Sequence, residues 1–549
     1  MKKKRDIILA LLTGLTLGLS YPPLPFSLLA FVGFIPIFLV LENKPKRPFL
    51  LIYLSFSLFH LITNWWLSSW QPNADPYLMV SGIAVWLVHP LFFMLPFILY
   101  VQIRKTTTFE VAVLLFPFIW TVFEWLRTFS DIAYPWLTIG YTQVYNIYWL
   151  QFIDLTGIFG ASFLIVLINS LLLVVIKKVR DNKLLPEPLS FFSIKGVNFS
   201  ALSIVFILIV PYFYGFLKVS EYNYEKIKSN NTIARIGVVQ GNINPWRKWE
   251  VSTLDQIFLH RDLHDSLIKA VGKLDLVVWP ETAITFHSIE LNSEYNLNFL
   301  LDNLIQNQTS LFSGFADIVF LKPGEKISAT SKKYFGDESK YYNSYNSAIL
   351  LNYNPIKTSN PQIYHKMKLT PFGERVPFVE HLKFALKWLE WGVGISSWSI
   401  GTEQKNLIVE SSEKSFEIAP IICIESVFPD FVRHFSKLGA DVLFIITNDG
   451  WYDHTFGPEQ HYQIAVARAI ENRKFLVRCA NTGVSGVIQP NGLSLVRAPQ
   501  YEKIAFASEV PLMNEITFYA QYGDWLPNIC CIVLVGAIIF VFFKFYVKK

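Results

Sequence analysis

Charge and cysteine are both scarce in this chain. Asp, Glu, Lys and Arg make up 16% of its 549 residues, against 52% for the hydrophobic types, whereas a soluble globular chain carries about 25% charged residues. So low a share excludes a wholly soluble protein and points to membrane insertion. Four cysteines occur, Cys423, Cys479, Cys530 and Cys531. None stands in the C-x-x-C spacing of a zinc or redox site, so neither a metal site nor a disulfide framework is expected. Internal repeats and low-complexity tracts are also missing, which excludes solenoid architectures. The formal charge is +6, yet the polar part of the chain has no basic stripe interleaved with aromatics. Nucleic acid is therefore excluded as a partner. The excess Lys and Arg stand beside apolar runs, as in Met1-Lys-Lys-Lys-Arg5, where they set topology.

Apolar sequence is abundant and unevenly spread. It crowds the first 220 positions and the last 25, leaving a middle of ordinary globular composition that is long enough to bury its own core. Runs at Ile7 to Ser20, Ser27 to Leu41, Phe49 to Ser69, Tyr77 to Ile103, Val111 to Leu126, Trp149 to Ile176, Phe199 to Leu217 and Pro527 to Tyr546 predict a bundle of eight transmembrane helices. Several are shorter than the roughly 20 residues that a bilayer asks for. The expected domains are residues 1–221 (helices one to seven), 222–524 (the polar domain) and 525–549 (the last helix and a tail). Basic residues collect in alternate loops, at Lys2 to Arg5, Glu42 to Arg47, Gln102 to Lys105, Lys177 to Lys183 and Lys544 to Lys549, while Ser69 to Asp75 has none. Cytoplasmic loops collect Lys and Arg, so the polar domain is expected on the extracytoplasmic face.

Within the apolar part, Glu124 and Arg127 read as an i, i+3 structural pair at a helix end. The aromatic stretch Tyr134 to Gln143 reads as a loop close to lipid headgroups. In the polar domain, strand-like runs at Ala234 to Gln240, Leu276 to Trp279, Thr309 to Phe315, Asn346 to Asn352, Phe416 to Cys423, Val442 to Thr447, Lys474 to Ala480 and Ser485 to Gln489 alternate with helical ones. The helices are expected at Thr253 to Val271, Glu294 to Gln306, Asp430 to Leu438 and Pro458 to Asn472. Such alternation argues for a layered α/β domain.

Three segments look like strands that hand a reactive side chain to a loop. Phe416 to Ser426 ends on Cys423, Leu276-Val-Val-Trp-Pro-Glu-Thr282 carries Glu281, and Tyr364 to Pro377 carries Lys366. A thiol attacks an acyl group as thiolate, so a nucleophilic cysteine needs a base and a nearby positive charge. Glutamate and lysine can fill those roles. Each residue also has a plain structural reading: Cys423 as a packed core thiol, Glu281 as a helix cap, Lys366 as a solvated loop residue. Cys479, inside Phe475-Leu-Val-Arg-Cys-Ala480, reads as the buried counterpart.

The contexts Trp279-Pro-Glu281, Tyr364 to Pro377 and Ile422-Cys-Ile-Glu425 resemble the carbon-nitrogen hydrolase (nitrilase) superfamily with its Glu-Lys-Cys triad and αββα sandwich. The remaining motifs are Val239-Gln-Gly-Asn242, Thr447-Asn-Asp-Gly-Trp451, Gly457-Pro-Glu-Gln-His461, Asn481-Thr-Gly483, Glu124-Trp-Leu-Arg127 and Pro135 to Gln143. With them the whole chain resembles the apolipoprotein N-acyltransferases of the bacterial inner membrane. The resemblance implies Glu281 as general base, Lys366 as oxyanion stabiliser and Cys423 as acyl-carrying nucleophile, with Glu374 and Glu425 in support. It places Trp249 and Trp451 near the mouth of the site against acyl chains; ordinary packing is their alternative. It further implies a phospholipid donor, a diacylglyceryl-cysteine apolipoprotein acceptor, no cofactor, a monomer, and a catalytic domain on the periplasmic side. The family usually has an aromatic directly after the nucleophile, and this chain has Ile424.

Two rival functions share these residues. One is a membrane-tethered amidase that hydrolyses a small carbon-nitrogen substrate, with water in place of the amine. The other is a catalytically silent lipid-binding protein, for which the departure at Ile424 speaks.

Overall fold

The computed structural model describes residues 2–68, 76–183, 196–248, 250–287, 293–335, 337–353, 361–380, 398–411 and 413–546. Among these, six helices are long and apolar enough to cross a membrane: Pro48–Ser68, Met79–Thr106, Phe109–Leu126, Ile158–Asn182, Val197–Glu221 and Trp525–Phe543. Ser27–Glu42 is a shorter apolar helix, and Lys2–Ser20 is helical with its charges gathered in the first turn. The eight apolar runs thus resolve into six long helices and two of another kind.

Three local expectations change. The run Tyr77 to Ile103 is two helical segments, Pro76–Phe93 and Leu95–Thr106. Pro96 sits in the first turn of the second, where its missing N–H is tolerated, and it cannot continue a helix from upstream. The run from Trp149 does not start the next long helix, which begins at Ile158 after Gly157. Gly157 has φ +65°, and a Cβ there would lie 2.5 Å from the Tyr519 ring. The third concerns Glu124 and Arg127, which take other partners. Glu124 Oε1 accepts from Trp120 Nε1 and from the Ile139 amide, both at 2.8 Å. Arg127 caps the helix end, donates to the Tyr134 carbonyl at 2.5 Å and lies 4.7 Å over the Phe93 ring.

The polar domain is a sandwich of two sheets. Its strands are β1 (Ile233–Gln240), β2 (Leu276–Val278), β3 (Ile284–His287), β4 (Ser310–Phe320), β5 (Lys332–Tyr334), β6 (Asp337–Leu351), β7 (Gln362–His365), β8 (Leu407–Glu410), β9 (Ser415–Ile422), β10 (Val442–Thr447), β11 (Leu476–Ala480), β12 (Gly486–Ile488), β13 (Ser494–Arg497) and β14 (Ile504–Pro511). The first sheet runs β14-β1-β2-β4-β6-β5, with β3 on β4 and β7 on β6; the second runs β13-β12-β11-β10-β9-β8. Strand periodicity builds the layers. Ile236 and Val238 of β1 face the second sheet, and Val239 faces the helix Thr253–Val271 through Ile257 and Leu267. Between the sheets Phe312 meets Phe444 at 5.8 Å. Cys479 spends its thiol proton on the Val239 and Val278 carbonyls and is a core residue.

Helix Phe456–Asn472 is buried almost throughout, because it lies between the second sheet and the loops of the helical part. Gln460 of that helix reaches across the seam into the helical part. Its Oε1 accepts from Trp66 Nε1 at 3.1 Å and Trp136 Nε1 at 2.7 Å, and its Nε2 donates to the Pro22 and Thr63 carbonyls. Tyr134 to Gln143 is therefore not a loop facing lipid: it forms two 3-10 turns, and Trp136, Ile139 and Tyr141 are buried under the sandwich. Arg473 adds bonds to Asp154 and Gln151.

Candidate active site

Parallel strands end on one side of the sandwich, and the loops that follow them bring distant residues together. Cys423 follows β9 directly. It adopts φ +49°, a left-handed conformation that costs a non-glycine residue roughly 1–3 kcal/mol. Glu281 follows β2 after Trp279-Pro280. β4 passes so close that a Cβ on Gly314 would stand 2.6 Å from the Glu281 Cα, so only glycine leaves room for this turn. Lys366 follows β7.

The three side chains share one cavity of about 210 Å³. Lys366 Nζ donates to Glu281 Oε1 at 3.1 Å and to Glu374 Oε1 at 2.8 Å. Asn346 Nδ2 donates to the same two oxygens, each at 2.7 Å, and Glu281 Oε2 accepts from the Asn448 amide at 2.9 Å. The Glu281 carboxylate thus accepts three hydrogen bonds from protein donors. Glu374 Oε2 accepts from the Thr370 amide at 2.8 Å. Burial opposes the Lys366 charge, but Glu281 and Glu374 overcome it and raise its pKa above the ordinary lysine value. Burial pushes up the Cys423 thiol and Glu281 adds to that, while Lys366 pulls the other way. The net direction is upward, which favours the thiol form of Cys423 over the thiolate.

Glu425 stands behind Cys423. Its Oε1 accepts from Tyr364 Oη and the Met367 amide at 2.7 Å, and its Oε2 accepts from the Ile422 amide at 2.8 Å. One carboxylate therefore ties the Lys366 segment to the Cys423 segment. Burial raises it to about 7, against the pull of those donors. Lys248 does similar work behind Glu281: it is buried, and its Nζ donates to the Glu281 carbonyl at 3.0 Å and Thr282 Oγ1 at 2.6 Å.

The cavity wall is largely aromatic. Trp246, Trp451 and Tyr452 come from the sandwich, and Trp66, Tyr134 and Trp136 from the helical part. Trp451 meets Trp246 edge-on at 5.0 Å. Trp249 lies outside the described residues; among the described residues of that segment, Trp246, three positions earlier, lines the cavity. Ile424 also lines it.

Sequence reasoning did not single out Asn346, Asn448, His461, Lys248 or Trp246. Asn448 and His461 lie inside the motifs Thr447-Asn-Asp-Gly-Trp451 and Gly457 to His461, and that position was the available signal. Asn346 carried none, since it reads as one polar residue in a strand. Among the described residues no group of three or more His, Cys, Asp or Glu side chains is placed to hold a metal ion.

Two protein families match the chain. The apolipoprotein N-acyltransferase N-terminal domain matches residues 13–171, and carbon-nitrogen hydrolase matches residues 235–517, the span of the sandwich. Among similar proteins is the apolipoprotein N-acyltransferase of Chlorobaculum tepidum, 32% identical, with 96% of this chain and 94% of that one covered. The Geobacter metallireducens protein of the same name is 28% identical over 96% and 93%. Apolipoprotein N-acyltransferase 1 of Treponema denticola is 27% identical over 99% and 97%.

Proposed function

The chain belongs to the apolipoprotein N-acyltransferase family, and from that premise we propose that it moves an acyl chain from a membrane phospholipid, through a thioester on Cys423, to the N-terminal amine of diacylglyceryl-cysteine apolipoproteins. The observation that carries this reading is the juxtaposition of Cys423, Glu281 and Lys366 in one cavity, with Trp66, Tyr134 and Trp136 of the helical part in its wall. A small-substrate amidase has no use for such a wall, whereas a lipid ester must reach the thiol from the bilayer.

In the first half-reaction Cys423 Sγ attacks the ester carbonyl while Glu281 takes the thiol proton. Lys366 and the Ile424 amide stabilise the oxyanion; the amide does so whatever side chain follows the nucleophile. The carbon–oxygen bond breaks, Glu281 returns the proton to the leaving lysophospholipid hydroxyl, and the thioester remains. In the second half-reaction the lipoprotein amine attacks the thioester carbonyl, Glu281 accepts the amine proton, and the carbon–sulfur bond breaks as the thiol is restored. Glu374 keeps Lys366 charged and aimed, Glu425 holds the two loops in register, and Trp451 and Trp249 offer aromatic surface to acyl chains.

Lys2–Ser20 and Ser27–Glu42 join the six long helices as an eight-span bundle in the bacterial inner membrane. Residues 1–221, 222–524 and 525–549 form its domains, both termini are cytoplasmic, and the sandwich is periplasmic. The protein works as a monomer. The orientation rests on the alternation of basic loops.

Intact-mass measurement tests the function. Purified protein given phospholipid should gain one acyl mass on Cys423, Cys423→Ala should not, and a diacylglyceryl peptide should discharge the adduct as a triacylated product. Release of ammonia or free acid alone would sink the reading.

A further inference from the structure

Beside the triad a second hydrogen-bonded chain ends on the nucleophile's own backbone. The Cys423 carbonyl oxygen lies 2.7 Å from Ser426 Oγ, which donates to it, and 3.2 Å from His461 Nε2. His461 Nε2 in turn lies 2.7 Å from Ser426 Oγ, and Nδ1 lies 2.9 Å from Asp449 Oδ1. Asp449 is fixed from behind, with Arg478 Nη2 on its other oxygen at 2.7 Å and Thr447 Oγ1 on the same oxygen as His461 at 2.9 Å. Arg478 and the neighbouring His461 hold this carboxyl well below the usual range against the effect of burial. Asp449 is therefore acceptor-only and accepts from Nδ1–H; since the Ser426 proton goes to the Cys423 carbonyl, Nε2 faces two acceptor oxygens and donates to them as well. Ser426 and His461 are almost wholly buried, and the imidazole is further packed against the Trp136 ring, with centroids 5.3 Å apart.

We propose that His461, oriented by Asp449 and joined to Ser426, is a positioning residue that holds the Cys423 carbonyl and thereby keeps the cysteine in the left-handed conformation that points its thiol into the cavity. The conformation needs a holder. A non-glycine residue at φ +49° relaxes toward negative φ unless its surroundings fix it, and that rotation would carry Sγ away from Glu281 and Lys366. Cys423 follows a strand pinned by β8 and β10, so its N-terminal side is fixed by the sheet. Its carbonyl side is fixed by Ser426 and His461. Ser426 and His461 do not act on the substrate in this scheme: they set where the reacting sulfur stands.

This inference rests on Cys423 being the acylated nucleophile, and the experiment separates the two. Acylation of Cys423 by phospholipid vesicles is followed by intact mass in wild type, Cys423→Ala, His461→Asn, His461→Gln and Ser426→Ala, with thermal unfolding of each. No adduct in wild type overturns the functional reading itself. Given a wild-type adduct, H461N, whose amide reaches only the Asp449 side, should lower kcat by ~100-fold with KM unchanged, the scale set by a misplacement of about 1 Å. H461Q, whose amide reaches Ser426 and the carbonyl, should recover most of that loss. S426A should lower kcat in the same way, and it serves where H461N fails to fold. Wild-type kcat in S426A, equal impairment of H461Q and H461N, or a loss confined to KM would overturn the proposal.

Discussion

Lys366 Nζ sits 3.1 Å from Glu281 Oε1 with both side chains nearly withdrawn from solvent, 1% and 8% exposed. A second carboxylate, Glu374, shares that ammonium at 2.8 Å, so one cation faces two anions beside the Cys423 thiol. An excess of negative charge disfavours a resting thiolate.

Neutralising Glu281 should therefore split reactivity from catalysis. In Glu281→Gln the charge that raises the thiol pKa is gone while Lys366 stays, so alkylation of Cys423 by iodoacetamide at pH 8 should speed up. Acylation by phospholipid should fall ~10²–10⁴-fold for want of a base. Parallel alkylation and intact-mass time courses check this, and slower alkylation together with slower acylation would contradict it.

Glu425→Gln should loosen the joint between the two reactive loops. An amide NH₂ would point at backbone donors that now meet oxygen, a loss of about 1–3 kcal/mol. At pH 8, where the native carboxyl is ionised, thermal unfolding should begin at lower temperature and kcat should fall with it. An unchanged melting curve would show that the four donors of Tyr364, Met367, Lys368 and Ile422 are easily replaced.

Gln460→Leu should weaken the seam between the sandwich and the helical part. It strands the Trp136 indole N–H and the Pro22 carbonyl, while the Trp66 N–H keeps the Thr63 carbonyl, a destabilisation on the order of 2 kcal/mol or more. Hydrogen exchange should then rise at Thr63 to Trp66 and through residues 134–143 before it rises in the β9 to β11 core. Uniform protection in the variant would show that Arg473 and its neighbours hold the seam unaided.

Lys248 gives a pH dependence with a definite sign. Burial lowers it from the ordinary 10.5 to about 7, so between those values the unfolded chain binds a proton that the folded chain has lost. Stability from this group is complete above the upper value and disappears as pH falls through the lower one. On raising pH from 7 to 9, wild type should gain on Lys248→Met by up to ~1.4 kcal/mol per pH unit. The melting-temperature difference in detergent should widen accordingly, and a constant difference would refute it.

The sequence by itself determined the division into apolar ends and a globular middle, because length and composition of a run decide whether it can sit in a bilayer. It determined most central strands of the sandwich, whose buried runs from Ala234, Leu276, Phe416 and Val442 leave little choice. It also marked Glu281, Lys366 and Cys423, since each ends such a run in a distinctive local context. Edge strands such as β8, β13 and β14 escaped notice, because their half-exposed sequences look like loops.

Only the tertiary structure decided what those residues meet. Asn346 bridges two carboxylates 65 and 28 residues away, and Gln460 reaches Trp66 across 394 positions. The loop at Trp136 is buried by a helix from the other end of the chain, and Glu124 and Arg127, neighbours by spacing, turn to different partners. Local pattern encodes how far each residue is buried and where a strand stops. Which polar groups pair at those ends depends on sheet register and on how the sandwich seats on the helices, and that is settled by packing across the whole molecule.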